Sequence, residues 1–259
     1  MRGAVAVQVD APRVTGYVDA SRVAEHVEAF AVSPAAVATL LVALPVVFQL
    51  NARLAPWTPW HARTDGQYLR SWWAYAVLNW ASAAVAVGLV LASGSGLAAL
   101  GLAPPEPELA LLLAGVLLVA LSIYYRDVLA RPPLDDRKLE RARDGWTPAT
   151  RHQRLVGVFV FGVTPGICEE VVYRGFAITA LLSIGIDLWP AIALATVPYV
   201  LLHGRGAFEF VRAFATYAAL GVGFAVAYLA TGSLWVAMVA HAAHNLAVAA
   251  RHTRGYLRG

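Results

Sequence analysis

Charge is what this sequence has least of. Of its 259 residues only 14% are Asp, Glu, Lys or Arg, while 59% are hydrophobic. A soluble globular domain carries about 25% charged residues, so the shortfall excludes that class and makes lipid the expected solvent. Cysteine is nearly absent as well. Cys168 stands alone, which excludes an intramolecular disulfide framework and a multi-cysteine metal site. There is no repeat at a fixed period, no Pro/Ser-rich linker and no HExxH motif. The first thirty residues are mixed in charge and lack the apolar core of a signal peptide. The net charge of +4 calls for no nucleic-acid partner. Basic residues collect in short loops and the tail, as they do on the cytoplasmic side of membrane proteins.

What is present is a series of apolar runs. A helix crossing the lipid core needs about 20 apolar residues. Candidate stretches are 29–50 (with Pro34 and Pro45), 72–92, 109–125, 155–186, 188–202, 210–230 and 234–250. The expected fold is therefore all-α, a polytopic transmembrane helical bundle of about seven spans, with six and eight as the neighbouring counts. It divides into an N-terminal extension over 1–28, three accessory spans over 29–125, a charged loop over 126–154, a core of spans over 155–250 and a basic tail over 251–259. The run 155–186 is too long for one perpendicular span. Gly162, Pro165 and Gly166 predict a break or kink in it, which would bring Glu169 towards the cytoplasmic side.

The loops set an orientation. Arg53, Arg63 and Arg70 outweigh Asp65 in the first loop, and the loop 126–154 carries eight basic residues. The "APPEPE" loop holds Glu106 and Glu108 with no basic residue. By the positive-inside rule the first two are cytoplasmic and the third is external. The tail, with Arg251, Arg254 and Arg258, is cytoplasmic. Seven spans then place the N-terminus outside; eight would reverse it.

Against this background "GICEEVVYRGF", Gly166 to Phe176, is out of place. A charge at bilayer depth costs at least about 2.5 kcal/mol on insertion scales, and here three lie within six positions. On a helix Glu170 and Arg174 are i, i+4 with the acid first, the favourable order for an ion pair. Glu169 is rotated by about 100° onto the face of Tyr173 and has no cation in its own segment. A carboxylate in that situation suits a general base or acid. A salt-bridge network holding helices together would use the same three residues, but two acids against one arginine leave a charge over. His203 closes another apolar run, and a histidine at a span end is, taken alone, more often an interfacial residue than a catalytic one. In "HAAHN" His241 and Asn245 share a helix face, and such pairs also serve simply to bond neighbouring helices. His244 is a further titratable group beside Asn245. Cys168 reads as a small buried apolar residue before it reads as a nucleophile. Taken together, a carboxylate and a histidine can deprotonate a water. A second histidine and an amide can donate to an oxyanion.

These residues resemble a known family. "EEVVYR" matches EExxxR, His203 closes a segment like FxxxH with Tyr199 in place of the phenylalanine, and "HAAHN" matches HxxxN. In order and spacing they are similar to the CPBP family of intramembrane proteases, which includes the CAAX prenyl endopeptidases of the Rce type and the bacterial group also called Abi. The resemblance covers about Val156 to Ala250. It implies a helical membrane core around a polar cavity. Glu169 would be the catalytic glutamate and His203 its partner in activating water, with His241 and Asn245 forming the oxyanion site. Glu170 and Arg174 would be supporting residues. The expected chemistry uses no cofactor, with zinc held by a Glu/His/His set as the less favoured alternative.

The reading is an intramembrane endopeptidase hydrolysing a peptide bond of a membrane-associated protein or peptide, lipidated or carrying a C-terminal sorting tail. The lysine-poor, Ala/Arg/Val-rich composition suggests a bacterial cytoplasmic membrane. The alternative is a non-catalytic immunity or scaffold relative. A transporter ranks lower, because no internal symmetry relates two halves of the chain.

Overall fold

The structure is a computed structural model that describes residues 32–54, 65–131, 150–203 and 211–258. The 1–28 extension, Arg63, most of the charged loop, and the Gly204–Arg205 pair after His203 lie outside the described residues. Among the described residues there are helices and no strands. Seven principal helices follow one another: α1 (Pro34–Leu54), α2 (Asp65–Ala92), α3 (Pro107–Leu129), α4 (Arg151–Ser183), α5 (Leu188–Leu202), α6 (Val211–Thr231) and α7 (Leu234–Arg258). The all-α bundle expected from the apolar runs is what the chain forms.

Four of the seven are long and apolar enough to cross a membrane: Leu69–Ala92 within α2, then α3, α4 and α6. This is an integral membrane protein. Among the described residues Pro34–Leu44 of α1 and the whole of α5 are shorter apolar helices. With 15 residues, α5 is about 22 Å long, less than the ~30 Å hydrocarbon core. Trp189, exposed at its first turn, is the residue type that sits at a membrane interface.

Helix α7 continues through residues 251–258, and Arg254 binds Asp127 of α3 at 2.6 Å. At the other side of the charged loop α4 begins at a capping box. The Thr150 hydroxyl accepts from the Gln153 backbone N–H, and the Gln153 side chain accepts from the Thr150 N–H. The free donors of a new helix are satisfied in this way.

Nor does α4 break at Pro165. The chain stays helical through it, and the winding changes instead. Val158–Val163 and Glu170–Ile178 are wound with i→i+5 hydrogen bonds, with ordinary α-helix at Thr164–Glu169 between them. Proline removes a hydrogen bond and presses on the carbonyl four residues back, and the wider winding just ahead of Pro165 gives that carbonyl room. Such π stretches are rare and concentrate at functional sites.

Close packing around α4 depends on glycine. A Cβ on Gly166 would lie 2.9 Å from the Ala242 Cβ and 3.0 Å from the Met238 carbonyl oxygen. Its absence lets the backbones of α4 and α7 approach, as small residues do in membrane bundles. That contact sets the depth at which α7 presents His241.

Candidate active site

The wide π turn that begins at Glu170 keeps its side chain and that of Arg174 on one side of α4. Their ion pair forms at 2.9 Å with both side chains fully buried. Arg174 has further partners. Its Nη2 donates to the Gly221 carbonyl of α6 at 3.2 Å, and its guanidinium lies 4.2 Å above the Tyr199 ring of α5. A cation over a ring in a dry site gains up to about 2 kcal/mol or more. This explains what an aromatic residue at position 199 does: it carries the arginine. The helix runs on through Pro198 to Leu202, so the proline does not disturb Tyr199.

α7 adds His241. Its Nδ1 is 2.6 Å from Glu170 Oε1, the oxygen that also accepts from Arg174. A carboxylate oxygen already accepting from a guanidinium is an acceptor here too, so Nδ1 carries the proton and donates. Nε2 then faces the other acid, 3.9 Å from Glu169 Oε2. The His241 ring is stacked on Phe224 of α6 with centroids 4.9 Å apart. One imidazole thus lies between both members of the glutamate doublet.

Glu169 is not bound to Arg174. Its Oε1 accepts a hydrogen bond of 3.0 Å from the Tyr75 hydroxyl, which comes from α2. Its Oε2 is buried and has no hydrogen-bond partner among the described residues, and the same holds for Glu170 Oε2. Buried polar atoms in native proteins nearly always have a partner, protein or water, so two such acceptors beside one imidazole mark a place for a polar guest.

His203 caps α5. Its Nδ1 is 2.9 Å from the Tyr199 carbonyl, which can only accept, so Nδ1 donates and Nε2 is left as the basic nitrogen. The ring is packed against Tyr217 with centroids 4.0 Å apart. It lies within the electrostatic reach of Glu169, His241 and Arg174. The short α5 brings it to the level of the doublet. Asn245, one turn beyond His241, is half-buried and not hydrogen-bonded to any of these groups. His244 is half-buried too and is coupled electrostatically to His241, not to the glutamates.

The structure therefore brings Glu169, Glu170, Arg174 and His241 into one contact network, with His203 at its edge and Asn245 a turn away. Sequence reasoning missed Tyr75, Tyr217 and Phe224, and it read Gly166 only as part of a break or kink. Tyr75 lies in "WWAYAVLNW" near Asn79, and only its hydroxyl near the start of an apolar span hinted at a role. Among the described residues no three His, Cys, Asp or Glu side chains are grouped so as to hold a metal ion.

No curated protein and no solved structure matches the chain. The family that its motifs resemble is matched directly: residues 151–247, the segment holding Glu169, Glu170, Arg174, His203, His241 and Asn245, fit the family model of the Rce1-like type II CAAX prenyl endopeptidases.

Proposed function

We propose that this protein is an intramembrane endopeptidase in which Glu169, assisted by His203, activates a water against a peptide bond. The observation that carries the reading is the placement of Glu169. It is buried, free of Arg174, and presents an Oε2 with no hydrogen-bond partner 3.9 Å from His241 Nε2. That separation is too long for a direct hydrogen bond. A water or carbonyl oxygen set to one side of the line can reach both atoms at about 2.8 Å.

The reaction balances with these groups alone. Glu169 takes a proton from water as the oxygen attacks the scissile carbonyl carbon. The tetrahedral oxyanion is held by the protonated His241, through Nε2–H, with the Asn245 amide as the second donor. The intermediate collapses with cleavage of the C–N bond, and the proton passes from Glu169 to the leaving amine. Glu170 and Arg174 hold His241 by its far nitrogen, fixing its orientation. The low dielectric of the site strengthens each of these interactions.

The substrate in this reading is a membrane-associated protein or peptide, lipidated or carrying a C-terminal sorting tail. The reaction needs no metal, and the protein sits in a bacterial cytoplasmic membrane with its C-terminus in the cytoplasm. The test is to reconstitute the wild type and Glu169→Ala with membrane-protein fractions and to compare the peptides released. Peptides released by the wild type alone support the proposal; identical peptide sets sink it. Loss of cleavage on chelation, restored by added zinc, would replace the metal-free mechanism.

A further inference from the structure

Tyr75 lies in α2, 76 positions before the matched segment 151–247 begins, yet its hydroxyl donates to Glu169 Oε1. Among the described residues this is the only hydrogen bond to the Glu169 carboxylate. Arg174 and His241 Nδ1 are both engaged by Glu170, so neither steadies Glu169. A glutamate side chain has several rotatable bonds, and one fixed oxygen restricts where the other can point.

From this contact we infer that Tyr75 is a positioning residue for the reaction, holding one oxygen of Glu169 so that the other is aimed at the attacking water. The inference rests on the reading of Glu169 as general base. The bond is donated into a buried carboxyl group at 3.0 Å, within hydrogen-bonding range. It also decides which oxygen does the chemistry: Oε1 is occupied, and Oε2 faces His241 Nε2. Misplacing a reacting group by about 1 Å can cost about 10²-fold in rate. The catalytic site is then completed by a span outside the matched segment.

A purely structural role for Tyr75 has a built-in control. Trp80, also on α2, donates to the Thr164 hydroxyl of α4 at 3.2 Å. That bond ties the same two helices and does not touch Glu169. The experiment compares wild type, Tyr75→Phe, Trp80→Phe and Glu169→Gln in proteoliposomes, using the peptide that the wild type releases fastest from a membrane-protein fraction. Tyr75→Phe is expected to lower kcat at least tenfold with KM within twofold, and Trp80→Phe to leave kcat within twofold. In the infrared spectrum of protein labelled with ¹³C-glutamate, the carboxylate band that disappears in Glu169→Gln should shift in Tyr75→Phe and stay in place in Trp80→Phe.

The outcomes separate cleanly. If Glu169→Gln is inactive while Tyr75→Phe keeps the wild-type kcat, or shows the wild-type band, the tyrosine has no positioning role. Equal losses in Tyr75→Phe and Trp80→Phe make it a packing residue and overturn the inference. Should Glu169→Gln still cleave, or the wild type release nothing, the reading beneath it fails as well.

Discussion

His241 Nδ1 lies 2.6 Å from Glu170 Oε1, while Nε2 of the same ring lies 3.9 Å from Glu169 Oε2. Adjacent glutamates are thereby given different work by one imidazole. Glu170 is bound on its α4 side by Arg174 and on its α7 side by His241, so it anchors the ring. Glu169 meets only the far edge.

The first prediction concerns the buried pair. Removing one partner leaves an uncompensated charge, which costs about 3–5 kcal/mol. Arg174→Met should lower the thermal unfolding temperature in detergent markedly. The double variant Glu170→Gln/Arg174→Met should lose less than the sum of the single changes, since neither orphaned charge remains. A strictly additive pair would show that the two are not coupled.

The second concerns the helix contact that sets the depth of His241. Gly166→Ala adds a methyl 2.9 Å from the Ala242 Cβ, an overpacking worth about 1–3 kcal/mol. Cleavage should fall with it, because α7 must withdraw. Adding Ala242→Gly should restore part of both stability and activity, and the Met238 carbonyl at 3.0 Å prevents full recovery. Unchanged cleavage by Gly166→Ala would mean that the separation of α4 and α7 is not critical.

The third distinguishes the two histidines of "HAAHN". Loss of an oxyanion donor costs about 10²–10³ in kcat, so His241→Ala should fall by that factor at least. His244→Ala, whose ring has no contact with either glutamate, should stay within about threefold of wild type. Equal losses measured on one peptide would give His244 a place in the chemistry.

Much of this was legible in the sequence because lipid makes polarity conspicuous. Glu169, Glu170, Arg174 and His241 stand out in apolar runs, and the i, i+4 spacing foretold the ion pair of Glu170 with Arg174. The helices follow the apolar stretches for the same reason. The local winding was not legible: Pro165 reads as a break, and only the backbone shows that i→i+5 turns absorb it. Tyr75 was hidden for a different reason. A tyrosine in an aromatic-rich span resembles ordinary lipid-facing packing, and no spacing rule links position 75 to position 169. Nor does sequence reveal that Tyr199 serves as a platform for Arg174, since the contact joins two helices at right depth but distant number.

The shortness of α5 bears on what can be cut. If its Trp189 end sits at one interface, a 22 Å helix leaves His203 about 8 Å short of the opposite one. At roughly 3.3 Å per extended residue, at least two or three residues of any client must thread down from that surface before a bond reaches the acid. A folded domain cannot do so. Selection by slackness, with only loose chain ends or frayed segments able to dip that far, would then operate before any side chain is recognised.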